Sequence, residues 1–166
     1  MKLVIGSLVI FSIVILFLFA LFPADISVTR LVQISRPGAE VRKKIVDLRE
    51  WTSWNLFSEF GSDKSISYAM GKIDSSHIHE VYVDIDLLKA TPDSIFTIWQ
   101  HDGKFFKGNY ILNGIGEQTT LVWILQFHVK WYPWEKLASM FYDKQLGPIM
   151  EKSLINLRDE LEAGTE

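Results

Sequence analysis

From Leu3 to Phe22 the chain carries no charged residue and no proline, and Ile, Val, Leu and Phe dominate each turn. Twenty residues rising about 1.5 Å each make a helix of about 30 Å, the thickness of a bilayer's hydrocarbon core. The pattern predicts one transmembrane helix within residues 1–24. A cleaved secretory signal fits less well, because the run is long and its end, Leu16 to Phe22, is bulky where cleavage needs small residues. Lys2 precedes the span and Asp25 follows it. The positive-inside rule then puts the domain on the exported, periplasmic or extracellular side, a bias that Arg30 and Arg36 blunt.

Beyond this run the polarity alternates. Ile26, Val28, Arg30, Val32 and Ile34 fall on one side of a strand, and Ser27, Thr29, Leu31 and Gln33 on the other. Arg36-Pro37-Gly38 breaks it. Val41, Ile45 and Leu48 then recur at helical spacing over 39–49, and an aromatic segment, Trp51 to Phe57, adds a turn or two. Strand-like runs follow at 65–70, 78–88, 94–101, 105–113 and 119–131, with hairpins marked by Asp102-Gly103 and Gly114 to Gly116. From Pro133 the period is helical. Leu137, Met140 and Phe141 form one apolar patch; Leu146, Met150, Leu154, Leu157 and Leu161 form the next, and Gly147-Pro148 is expected to kink or loosen the helix. The order predicts an α+β domain over 25–162, a curved antiparallel sheet around a long C-terminal helix, with a disordered tail at 163–166. Only a few residues separate Phe22 from Ile26, so the domain is expected to sit against the membrane.

Three segments resemble one family. Val28-Thr29-Arg30 through Ile34-Ser35-Arg36-Pro37 is similar to the first strand and turn of the SRPBCC, or START-like, helix-grip superfamily. Leu48-Arg49-Glu50-Trp51-Thr52-Ser53-Trp54-Asn55 resembles its tryptophan-containing second-helix segment. Asp143 to Gly147, with Glu151, Leu154, Asn156 and Leu157, resembles its closing helix. The nearest likeness is to membrane-anchored, polyketide-cyclase-like members. The resemblance implies a helix-grip fold and a pocket for a hydrophobic molecule, but no particular reaction. The chain departs from the pattern in showing six clear strands instead of seven, a short stretch between Tyr68 and His79, and Leu56 where the family has proline.

Composition narrows the function further. The net charge of −3 argues against nucleic acid, which needs a basic face. No cysteine is present, so disulfides and thiol chemistry are excluded. No nucleotide-binding or cofactor fingerprint occurs. His77 and His79 could share a strand face, but no third metal ligand accompanies them; Glu80, Asp84 and Asp86 read as a solvated strand face.

Beyond the apolar run, six Trp, five Tyr and seven Phe could fill a core or line a cavity. In the family register Phe106, Tyr110 and Leu112, with Leu121, Trp123, Leu125 and Phe127, alternate inward and meet Met140, Phe141 and Met150; these are the candidate ligand-binding residues. Val122 and Ile124 are apolar on the opposite face and suggest a covered patch, against another subunit or the membrane. Trp131, Tyr132 and Trp134 are candidates for the membrane interface, where such rings concentrate, and Arg30 could meet anionic lipid. The leading expectation is a membrane-anchored domain binding a lipid or other hydrophobic molecule. Two alternatives stay open: a cyclase- or hydrolase-like enzyme using Tyr110 or Gln100, and a protein-interaction module.

Overall fold

The computed structural model describes residues 2–20, 23–57, 67–70, 76–79, 84–101 and 104–164. The chain runs α1 (Lys2–Ala20), β1 (Asp25–Ile34), α2 (Gly38–Val46), a short 3₁₀ turn (Leu48–Glu50), α3 (Trp51–Trp54), β2 (Ser67–Met70), β3 (Ser76–His79), β4 (Asp84–Ala90), β5 (Ser94–His101), β6 (Lys104–Ile115), β7 (Gln118–His128), α4 (Pro133–Ser139) and α5 (Tyr142–Ala163). The strands form one seven-stranded sheet in the order β1-β7-β6-β5-β4-β3-β2. Every neighbouring pair is antiparallel. The last strand closes on the first, with Asp25 opposite His128 and Ile34 opposite Thr119.

The run 78–88 is not one strand. It contributes to two, β3 and β4, which pair with His77 opposite Asp86. Apolar residues continue on both sides of the reversal, so the pattern alone hides it. This supplies the seventh strand. Residues 80–83, including Glu80, and the side chains of His77, His79 and Asp84 lie outside the described residues.

α5 runs unbroken from Tyr142 to Ala163 with Pro148 inside it. Gly147 serves a close approach: it is buried, and a Cβ there would collide with the Arg30 guanidinium on β1. The core lies between the concave sheet face and α5. Val28, Ile95, Trp99, Tyr110, Leu121, Trp123 and Leu125 come from the sheet, Met150, Leu154 and Leu157 from α5, and Val41, Ile45, Trp51 and Trp54 from the short helices. Each such side chain contributes about 1.5–3 kcal/mol by leaving water.

α1 is described over Lys2–Ala20, and residues 21–22 of the apolar run lie outside the described residues. Among the described residues no helix is long and apolar enough to cross a membrane, so the expected transmembrane span is not shown. α1 does present apolar side chains outward, with Val4, Leu8, Ile10, Phe11, Ile13 and Phe17 all exposed.

Candidate ligand-binding site

Strand alternation turns every second residue of β6 and β7 toward α5. The register sets Phe106 opposite Phe127, Gly108 opposite Leu125, Tyr110 opposite Trp123 and Leu112 opposite Leu121. Tyr110, Leu112, Leu121, Trp123, Leu125 and Met150 are buried together. Phe106 and Phe127 are half-buried, and their rings stack at 4.8 Å. Met140 and Phe141 do not join them; they are 60% and 53% exposed at the corner between α4 and α5. An apolar stripe identifies a helix face but not the direction in which it points, and here it points outward.

The interior also holds rings that the strand pattern of β6 and β7 does not include. Trp51 meets Tyr110 edge-on at 5.6 Å, Trp54 meets Trp123 at 6.4 Å, and Trp99 lies 5.9 Å from Trp123. Tyr110 stacks on Trp123 at 5.2 Å with an interplanar angle of 22°. Half-buried Phe57 stands edge-on to both Trp99 and Trp123. The alternation of β5 does contain a signal for Trp99, which is in phase with buried Ile95 and Thr97. Trp51 and Trp54 reach the site only through tertiary packing.

The polar atoms of these rings divide sharply. Trp51 Nε1 donates to the Ile45 carbonyl at 2.8 Å, and Trp99 Nε1 donates to Thr97 Oγ1 at 2.8 Å. The Thr97 hydroxyl donates in turn to the Gly108 carbonyl at 2.8 Å. Gly108 gives this bond its room, since a Cβ there would run into Thr97 Oγ1 and Trp99 Nε1. Trp54 Nε1, Trp123 Nε1 and Tyr110 Oη, by contrast, are buried with no hydrogen-bond partner among the described residues. Leaving such a group unpaired costs about 1–3 kcal/mol. Three in one ring cluster depart from the rule that buried polar groups are bonded.

Burial holds the Tyr110 phenol well above its ordinary pKa, so it keeps its proton near neutral pH and cannot act there as a base. Gln100 is opposite Phe105 and out of phase with Trp99, which places it on the convex face. It therefore cannot serve a reaction inside the sheet. On that same convex face Val122 lies between Leu31 and Ile111, and Ile124 is half-buried nearby. Among the described residues no group of three His, Asp or Glu could hold a metal ion.

A cleft of about 480 Å³ opens at the end of the sheet where β1 begins. Its lining is mostly on the convex face, from Asp25, Ser27, Ile98, Phe105, Lys107, Gln126 and His128, with Ile26, Phe106 and Phe127 of the inward phase at its edge. A second depression, of about 610 Å³, lies toward the other end among Gly38, Arg42, Leu112 and Gly114.

α4 adjoins the first end and is inside out. Its Lys136 and Ser139 are buried, while Leu137 is exposed and Trp131, Trp134, Met140 and Phe141 are more than half exposed. Tyr132 is half-buried and stacks on Trp134 at 5.0 Å. α1 touches α4. Glu135 ties α4 to the sheet, its carboxylate accepting from the Lys130 backbone N–H at 3.2 Å and lying 3.6 Å from Lys104 Nζ.

No family model matches the chain, and no curated protein matches it. Solved structures do. The crystal structure of DynU16, a protein of the dynemicin biosynthetic locus, is 22% identical with a TM-score of 0.55, over 83% of this chain and 48% of DynU16. The chain thus spans about half the length of that protein. CalU16 from Micromonospora echinospora is 16% identical with a TM-score of 0.56, over 81% of this chain and 73% of its own. TTHA0849 from Thermus thermophilus is 13% identical with a TM-score of 0.60, over 85% of this chain and 100% of its own. At these identities the likeness speaks for architecture alone: the chain shares the helix-grip fold of these solved structures, an antiparallel sheet closed on a long C-terminal helix.

Proposed function

We propose that this chain is a membrane-anchored helix-grip domain that takes up a lipid or other hydrophobic molecule between its sheet and α5. The observation that carries the reading is the inverted polarity of α4. A helix that buries a lysine and a serine while exposing Trp134 and Leu137 has its apolar side toward something other than its own core. It touches α1, whose exposed surface is apolar and whose sequence continues uncharged to Phe22. A bilayer beside both elements removes both apolar surfaces from water. The half-buried inward-phase rings Phe106 and Phe127 stand at this same end of the sheet, near Asp25 where the chain leaves the anchor, so an apolar molecule has a short path from lipid to protein. On the charge bias around the run, the domain lies on the exported side.

Alkaline carbonate washing tests the anchor. The full chain stays in the membrane fraction with Lys2 retained; release, or a mature N-terminus near Asp25, contradicts the reading.

A second reading has one specific observation behind it. Leu31, Val122 and Ile111 stand side by side across β1, β7 and β6 on the convex face, with Leu31 65% exposed. Such a row can meet another protein surface, including a second copy of this chain. Sedimentation of the chain and of Leu31→Lys in detergent separates the two cases, because loss of self-association on substitution favours the interface.

A further inference from the structure

We infer that the bound molecule carries a neutral acceptor oxygen, a carbonyl set in an otherwise apolar skeleton, and that Trp54 Nε1, Trp123 Nε1 and Tyr110 Oη are the groups that receive it. The inference rests on the hydrophobic-ligand reading above and specifies its chemistry. Three buried polar atoms without partners among the described residues belong to rings that touch: Trp54 meets Trp123, and Tyr110 stacks on Trp123. An indole N–H donates and never accepts, and a protonated phenol donates one hydrogen bond and can also accept. The cluster is therefore rich in donors, and what complements it is an acceptor.

The acceptor is neutral for a reason visible on β1. Arg30 is directly opposite Trp123 and would be the natural partner of a carboxylate, but its Nη1 lies 2.9 Å from Asp143 Oδ1. With that cation already matched, a second anion inside the aromatic cluster would be buried without a countercharge. Access is past Phe106 and Phe127, the inward-phase rings at the end of the sheet where β1 begins. Both are half-buried and stack on each other, and Phe106 also contacts Trp99, which contacts Trp123. Displacement of these two rings opens the path inward.

Fluorenone and fluorene test this directly, since they share one tricyclic skeleton and differ by a carbonyl oxygen. The full chain, labelled with 15N at its tryptophans, is placed in lipid nanodiscs and given each probe at equal loading. With fluorenone the indole proton resonances of Trp54 and Trp123 move downfield; with fluorene they do not. Those of Trp51 and Trp99 stay in place with either probe, because both indoles are already bonded within the protein. Tyr110→Phe weakens fluorenone about three- to tenfold, the worth of one hydrogen bond, and leaves fluorene unchanged. An equal response to both probes at the interior indoles overturns the acceptor and leaves the apolar-ligand reading intact. A response confined to Trp131 and Trp134, or none at any indole, overturns both.

Discussion

Arg30 and Asp143 join the first strand to the start of the closing helix, with Nη1 and Oδ1 2.9 Å apart. The pair is partly exposed, so its own worth is about 1 kcal/mol at most. The packing behind it matters more. The guanidinium occupies space left by Gly147, one turn along α5. Gly147→Ala is therefore expected to destabilise the protein by about 1–3 kcal/mol through overpacking, even though alanine favours a helix by about 1 kcal/mol. In an Arg30→Ala background the same substitution becomes neutral or stabilising. Denaturant unfolding of the four variants checks the cycle; additive costs would show that Arg30 is not what Gly147 accommodates.

Tyr110 and Trp99 make an opposite pair of predictions. The Tyr110 hydroxyl is buried and unbonded among the described residues, so Tyr110→Phe keeps the ring and removes a polar group with nothing to lose. Its stability should be unchanged within about 0.5 kcal/mol or should rise by about 1–2 kcal/mol. Trp99→Phe loses the bond to Thr97 and part of a fully buried ring, and should cost about 1–3 kcal/mol. Thermal unfolding of both variants without added ligand is the check, and a large loss for Tyr110→Phe would mean the hydroxyl is satisfied in the folded protein.

The extent to which this fold is readable from its sequence follows from what periodicity encodes. The alternation in 26–34 and 119–131 locates β1 and β7 and separates the two faces of each, although β7 ends at His128, three residues before the alternating run does. The stripe Met150, Leu154, Leu157 identifies the buried side of α5 for the same reason. Periodicity fails where direction is set by a neighbour that is distant in sequence. Met140 and Phe141 continue an apolar helical pattern, yet α4 turns that pattern outward beside α1. The reversal between β3 and β4 and the arrival of Trp51 and Trp54 over β6 and β7 are likewise tertiary facts. Gly147 illustrates a further limit. Its local propensity signals a weak helix, while its role is to make room for Arg30.

Asp47 provides the acid dependence. Its carboxylate accepts from Arg49 Nε at 2.9 Å, Arg49 Nη2 at 2.8 Å and the Arg49 backbone N–H at 3.1 Å. The hydrogen bonds from the Arg49 side chain are the largest influence and hold its pKa below the ordinary 3.8. Because the folded value is the lower one, the contribution is fully present above the unfolded pKa and is lost as pH falls through the folded value. Screening keeps it under about 1 kcal/mol. Asp47→Asn should thus lower stability at pH 7 by that small amount and flatten the stability curve below about pH 4, as measured by urea unfolding across pH. A parallel curve for the variant would rule out this source of acid sensitivity.

The central claim, that α4 and the cleft end of the sheet face a bilayer, is best measured by position. Trp51, Trp54, Trp99 and Trp123 are fully buried aromatic anchors of the core, so variants retaining a single tryptophan would lose the fold. The chain has no cysteine, however, and one introduced thiol can carry a fluorophore without background. Trp131→Cys and Trp134→Cys place it on the exposed aromatic face. Ile115→Cys places it on the β6–β7 hairpin, at the end of the sheet away from Asp25, where the side chain is 86% exposed. With the full chain in vesicles, nitroxide lipids carrying the spin label near the headgroup should quench the label at 131 and 134 strongly and leave that at 115 almost unchanged. Equal quenching at the three positions, or none at 131 and 134, would contradict the account and leave the inverted polarity of α4 to be explained by a protein partner.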